Sequence, residues 1–228
     1  MQKISRRHTK NKQKINKIVY NIDEALSLLK TVANSKFIET IELHANLNID
    51  PKYSDQQLRS SITLPNGQGS TLKIAVLTSE NNVLEAKNAG AQIVEADSII
   101  EDISKGNINF DLLIATPEMM PKLAKLGRIL GPKGLMPSPK SGTITTDLTK
   151  TIVEFKRGKF EYKADKTGIV HTSLGKSNFS ELHLKENLLA LYKSIEFNRP
   201  SGVKGKYFKT LYICTTMGPS IKLDLTTF

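Results

Sequence analysis

The chain has one cysteine, Cys214, no tryptophan, and no apolar run long enough to span a bilayer. A single thiol excludes an internal disulfide and a zinc cluster built from cysteines. Without a run of roughly 18 or more apolar residues, no transmembrane helix is expected. The N-terminus is charged and has no apolar stretch behind it, so a secretory signal is not expected either. Aromatics make up 6% of residues and do not cluster, which leaves no platform for stacking several unpaired bases. The four histidines are His8, His44, His171 and His183. None forms a His-x-x-x-His pair or lies near a carboxylate in metal-ligand spacing, so no metal site is expected. Cys214 falls in the apolar run Leu211-Tyr212-Ile213-Cys214 and reads as a buried, inert thiol. No catalytic triad and no carboxylate pair is visible. The sequence therefore points away from an enzyme and implies no cofactor.

What the chain does have is positive charge. Its 228 residues suffice for one or two domains with a real core, and the net charge is +11. Residues 68–153 hold nine Lys/Arg and nine Asp/Glu, so the whole excess lies in the two flanks. A basic domain of this kind commonly meets a polyanion, and the flanks should touch it first.

Two stretches resist explanation as ordinary packing. Gly127-Arg128-Ile129-Leu130-Gly131-Pro132-Lys133-Gly134-Leu135-Met136-Pro137 puts three glycines, two prolines and two cations into eleven residues. It is expected to be an ordered loop, neither helix nor central strand, with free backbone amides and positive charge for an anion. Gly134 follows Lys133 where a phosphate-binding loop needs Ser or Thr, and the position is too late for a dinucleotide fingerprint. The second stretch, Thr215-Thr216-Met217-Gly218-Pro219-Ser220, offers hydroxyls, a thioether and a turn without an evident catalyst.

Periodicity divides the chain. An N-terminal arm from Lys3 to Lys17 has no hydrophobic period and is expected to stay mobile until it meets phosphate. A helix starts at Asn21 with Glu24 three residues on, close to a capping box. Residues 40–49 alternate as a half-buried strand, and a further strand runs from Leu58 to Leu64. From Leu72 the pattern becomes strand 72–77, helix 82–89, strand 92–95, helix 97–105, strand 112–115 and helix 117–126, a small parallel sheet covered on both faces. After Phe160 come a hairpin around Asp165-Lys166-Thr167-Gly168, a helix over 180–197, and strands near 208–215 and 220–225. Neither flank suffices alone. The expectation is an α+β discontinuous domain, residues 1–67 and 159–228, with an antiparallel sheet and two helices. It carries an inserted α/β Rossmann-like domain, residues 68–158, and the two chain crossings would act as hinges.

A recognition surface for folded RNA can be assembled from the flanks. Lys36 can meet a phosphate, Phe37 can pack on a ribose or base, and Thr40 can bond a 2′-hydroxyl. Phe37 also reads as a core residue closing the helix. Thr216, Met217 and Gly218 offer a hydroxyl, a soft apolar contact and close backbone approach, or form only a structural turn.

The 127–137 stretch and the Thr216-Met217-Gly218 turn resemble the ribosomal protein L1 family, which builds the mobile stalk of the large subunit. Lys36-Phe37-Ile38-Glu39-Thr40 and Asp165-Lys166-Thr167-Gly168 share that resemblance, which runs from about residue 17 to the end. It implies contact with large-subunit rRNA through Lys36, Phe37, Thr40, Lys166, His171, Thr210, Thr216, Met217 and Gly218. It places Gly127, Arg128, Gly131, Lys133 and Gly134 on a second-domain loop beside the exit-site tRNA. It further implies a monomer when free, assistance to the release of deacylated tRNA, and repression of its own mRNA. An RNA-modifying enzyme and a free RNA chaperone are the competing readings. Lysine outnumbers arginine 27 to 6, and there are 22 isoleucines and 15 asparagines, as in an AT-rich genome. Residues 51–59 and 198–202 look like the cyanobacterial and plastid branch. A plastid (chloroplast) ribosome is the expected location, with the bacterial cytoplasm second.

Overall fold

The computed structural model describes residues 5–79, 82–94 and 98–228. Two compact units divide the chain: Met1–Gly69 with Tyr162–Phe228, and Ser70–Glu161. The first begins with α1 (Arg6–Gln13), α2 (Ile22–Val32), β1 (Thr40–Leu47) and β2 (Arg59–Thr63). The second contains β3 (Ile74–Leu77), α3 (Val83–Asn88), β4 (Ile93–Val94), α4 (Ser98–Ser104) and β5 (Leu112–Ala115). It continues with α5 (Met120–Ala124), α6 (Gly127–Leu130) and α7 (Leu148–Lys156). Strand β6 (Lys159–Lys163) leads back to β7 (Ile169–Lys176), α8 (Glu181–Phe197), β8 (Phe208–Thr215) and β9 (Ile221–Leu223). Sequence expectations at positions 3, 4, 95 and 97 lie outside the described residues. Among the described residues no helix is long and apolar enough to cross a membrane.

The first unit is built on a four-stranded sheet in the order β7-β1-β8-β9, antiparallel throughout. The period-2 pattern of β1 sends Ile41, Leu43, Ala45 and Leu47 into the core with no exposure. The same unit buries the apolar stripes of α2 (Ala25, Leu26, Leu29, Val32) and α8 (Leu184, Leu188, Leu191, Ile195), and these two helices contact each other and strands β7 and β8. Each buried Leu, Ile or Val among them contributes about 1.5–3 kcal/mol by leaving water. The opposite face of β1, Thr40, Glu42, His44 and Asn46, is half-exposed. One buried amide is part of this core. Asn187 donates to the carbonyls of Gly67 (3.0 Å) and Leu174 (2.8 Å) and accepts the N–H of Asn66 (3.1 Å). Three satisfied bonds make a fully buried Asn tolerable.

Two expectations about the N-terminus are corrected. Residues 6–13 form a helix, with Ser5 as N-cap accepting the His8 N–H. Asn11, 1% exposed, donates to Val32 O (3.1 Å), and Lys14 Nζ donates to Thr31 O (3.0 Å). Both acceptors belong to the last turn of α2, whose carbonyls lack partners within that helix. The arm is thus docked by polar bonds, which a hydrophobic period cannot reveal. At the start of α2, Asn21 makes no side-chain cap bond. Glu24 turns instead to Lys17 at 2.8 Å, so the capping box does not form.

The second unit has a parallel sheet in the order β4-β3-β5. Alternate residues of β3 serve opposite faces. Ala75 and Leu77 pack with Ile99, Ile103, Leu113, Leu123 and Leu130, while Ile74 and Val76 pack with Ala86, Ile114, Leu148, Ile152 and Phe155. Helix α7 supplies the last three of these from a threonine-rich stretch that carries few strong helix formers. The Gly/Pro stretch differs from expectation. Gly127–Leu130 forms one helical turn, because Leu130 reaches the core with no exposure. The amides of Gly131, Gly134 and Leu135 donate to Gly127 O, Gly131 O and Leu130 O at 2.9, 3.0 and 3.1 Å. Those three amides are therefore committed and not free to cradle an anion. Arg128 and Lys133 stay exposed.

Candidate nucleic-acid interface

Charge divides between the units as strongly as structure does. Unit 1 carries 21 Lys/Arg against 11 Asp/Glu, and unit 2 carries 12 against 11. A polyanion is drawn to the first.

Within that unit, one end of the sheet brings together residues far apart in sequence. Lys36, Phe37 and Ile38 lie in the loop between α2 and β1 and are exposed, Phe37 at 55%. Phe37 is therefore not a core residue. Met217, in the turn after β8, is 48% exposed. The two loops are fastened by their own polar groups. Thr216 N–H donates to Thr40 O at 3.0 Å, and Thr40 N–H donates to Thr216 Oγ1 at 3.0 Å. The Thr216 hydroxyl also donates to Thr40 O at 3.2 Å. It is thus a fastener of the two loops more than the free contact group expected from sequence. Lys176 Nζ donates to Thr40 Oγ1 at 2.8 Å and adds a second cation to the rim.

The residue that organises the rim, Glu39, was missed by sequence reasoning. It is 2% exposed, which is unusual for a carboxylate. Its Oε1 accepts the Ser35 N–H and its Oε2 accepts the Met217 N–H, both at 3.1 Å. Burial opposes its ionisation, but the bonds from Ser35 and the Met217 amide outweigh that, and its carboxyl is held below the usual range. The available signal was a carboxylate set between the apolar pair Phe37-Ile38 and the start of the alternating strand. Gly218 completes the turn. A Cβ there would collide with Thr215 Oγ1 and come within 3.2 Å of Val32 Cγ1.

The remaining expected residues are elsewhere. Lys166 sits exposed in the Asp165–Gly168 turn, at the far end of β7 from Thr40. Thr210 pairs with Asn46, six residues along β8 from Thr216 and roughly 20 Å away at strand spacing. His171 lies between, directly opposite His44 on β1. Gly127, Arg128, Gly131, Lys133 and Gly134 belong to unit 2. The nine expected RNA contacts thus form one compact rim and three separate outliers.

The outward sheet face holds a further cluster. His44 Nδ1 lies 2.8 Å from His171 Nδ1, and His44 Nε2 lies 3.1 Å from Cys214 Sγ and 3.7 Å from Glu42 Oε2. Sequence spacing hid this because Cys214 comes beside Glu42 only through the β1–β8 register. The expectation that no histidine lies near a carboxylate is corrected, as is full burial of Cys214, which is half-buried on the outer face. Burial lowers the pKa of His44, and the neighbouring His171 adds to that while Glu42 opposes it. Burial and then the Glu42 charge push the Cys214 thiol up to about 11.

The ribosomal protein L1p/L10e family model matches residues 28–219. The chain is similar to "Large ribosomal subunit protein uL1c" of Trieres chinensis, 67% identical over 229 residues with 100% of both chains covered. The protein of the same name from Phaeodactylum tricornutum (strain CCAP 1055/1) is 68% identical, again over 229 residues and 100% of both. "Large ribosomal subunit protein uL1" of Prochlorococcus marinus (strain MIT 9515) is 56% identical over 225 residues, covering 99% of this chain and 96% of the other.

Proposed function

The chain belongs to the ribosomal protein L1p/L10e family, and from that premise we propose that its first unit anchors it on folded large-subunit rRNA through the Lys36–Thr40 and Thr216–Gly218 rim. It is a structural constituent of the large ribosomal subunit and not an enzyme. The observation that carries the RNA reading is the rim itself. A cation, an aromatic ring and a thioether are held exposed by backbone bonds to one buried carboxylate, Glu39. Such a preformed surface meets phosphate, ribose and base together without ordering loops on contact.

The second unit is read as an inserted Rossmann-like domain that moves with the stalk. Arg128 and Lys133, exposed on a turn anchored by Leu130, would face the exit-site tRNA and assist release of deacylated tRNA. The same rim would bind a matching fold in the chain's own mRNA and repress its translation. The chain is read as part of a plastid ribosome, with a bacterial cytoplasmic ribosome as the alternative, and the uL1c and uL1 relatives support that location. The free protein acts as a monomer.

The test is paired. Met217→Asp sets a carboxylate against the polyanion and removes an apolar contact. Like charges in contact cost about 1 kcal/mol in water and several where water is partly excluded, so affinity for a large-subunit rRNA fragment should fall at least tenfold, roughly 1.4 kcal/mol. The thermal midpoint should hold. Full affinity with an unchanged midpoint would remove this rim as the rRNA contact.

A further inference from the structure

Glu42, His44 and Cys214 converge on one point of the outward sheet face, and the rRNA rim does not use them. Their nearest ligand atoms all lie within 4.8 Å of one another. Around one tetrahedral zinc, with bonds of about 2.0–2.3 Å, ligand atoms stand roughly 3.4–3.6 Å apart. The observed 3.1 Å between His44 Nε2 and Cys214 Sγ and 3.7 Å between His44 Nε2 and Glu42 Oε2 fall on either side of that value. Glu42 has a side chain 38% exposed and has room to rotate through the remaining difference.

A second, independent feature prepares the same atoms. His44 Nδ1 meets His171 Nδ1 at 2.8 Å, and His171 Nε2 faces Asp165 Oδ2 at 3.7 Å. With the proton on His44 Nδ1 and another on His171 Nε2, the chain runs from His44 to His171 to the Asp165 carboxylate. The lone pair of His44 Nε2 then points at Cys214 and Glu42. A ligand histidine whose other nitrogen is tied back toward a carboxylate is the usual outer arrangement of a zinc site. A cavity of about 550 Å³ opens beside the cluster, lined by His8, Lys12, Ile15, His44, Cys214 and the 218–220 turn. It leaves room for a further ligand or water.

We propose that Glu42, His44 and Cys214 form a three-ligand site for a divalent cation of the zinc class, with the fourth position open to this cavity. A thiolate and an imidazole select against magnesium and calcium, which take oxygen ligands. As the sulfur–metal bond forms, the Cys214 thiol loses its proton to solvent. The ion would tie β1 to β8 two residues before Thr216. The inference rests on side-chain geometry and does not depend on the RNA reading.

Cobalt(II) titrated into the full-length, RNA-free protein is the probe. One equivalent should produce a thiolate-to-cobalt band in the near ultraviolet and tetrahedral d–d bands in the visible, both bleached by equimolar zinc. Cys214→Ser, which keeps the side-chain size, should abolish the ultraviolet band. His44→Gln should weaken binding at least a hundredfold, and it serves alone if Cys214→Ser fails to fold by circular dichroism. His171→Ala should keep the ultraviolet band while binding falls roughly tenfold to a hundredfold. Absence of the thiolate band in the wild type, or undiminished affinity in His44→Gln, would overturn the site.

Discussion

Glu39 Oε2 accepts the backbone N–H of Met217 at 3.1 Å, joining residues 178 positions apart in the chain. The same carboxylate accepts the Ser35 N–H through its other oxygen. Glu39→Gln keeps the shape but offers one acceptor oxygen, and it turns an NH₂ group toward one of the two amides. We expect a loss of about 1.5–3 kcal/mol, as for hydrogen bonds to a charged group. The pH dependence follows from the depressed pKa. A carboxyl lowered in the folded state gives stability that is present above its unfolded value of about 4.3 and is lost as pH falls through the folded value. Thermal midpoints of wild type and Glu39→Gln should therefore differ most at neutral pH and converge in acid. A constant gap across pH 2–7 would show that the charge is irrelevant.

Gly218→Ala tests the turn from the packing side. No left-handed φ is involved, so space rather than backbone conformation demands glycine. The added methyl presses on Thr215 Oγ1 and Val32 Cγ1, and the turn must shift. Overpacking of this kind costs about 1–3 kcal/mol. Denaturant midpoints with an unchanged slope would measure it, and rRNA affinity should fall alongside.

Lys36→Ala tests the kind of contact. An exposed lysine with a phosphate partner contributes to counterion release. The mutant should bind less tightly across RNA sequences, with the slope of log K against log salt smaller by roughly one unit. Identical slopes would take Lys36 off the contact surface.

Asn11→Ala tests the docked arm. The substitution removes the side-chain donor to Val32 O, which keeps the Asn34 N–H at 2.9 Å, and breaks the reciprocal amide bonds between Asn11 and Asn34. Loss of about 1–2 kcal/mol of local stability should follow. Limited trypsin digestion within residues 6–14 should speed up several-fold, while the thermal midpoint of the rest moves little. Unchanged digestion would mean that Arg7 on Ser35 and Lys14 on Thr31 hold the helix without Asn11.

These positions also show what a sequence makes legible. Strand β1 is readable because Ile41, Leu43, Ala45 and Leu47 alternate without a break, and a one-residue slip would expose all four. Lys36, Phe37 and Met217 fall between the periodic segments, in loops that leave all three exposed. Helix α1 is not readable, since it docks through Asn11 and Lys14 rather than an apolar stripe. The turn of helix at Gly127–Leu130 is hidden because one buried leucine overrides the local preference of glycine. The Glu42–His44–Cys214 cluster depends on strand register, which no local pattern encodes.

Strand order has a consequence for synthesis. Strand β1 is central in its sheet, yet both of its neighbours, β7 and β8, lie after Ser70–Glu161 in the chain. A nascent chain emerging N-terminus first therefore carries β1 with both hydrogen-bonding edges open while the whole second unit appears. That unit is contiguous and has its parallel sheet complete by residue 115. It can fold as it emerges, while β1 waits for residues 169–176 and then 208–215. An open apolar strand is the species most prone to pair with another chain. The polar outer face of β1 and the basic arm before it favour solubility of that waiting segment, and Thr216, which fastens to Thr40, is made directly after the second partner strand.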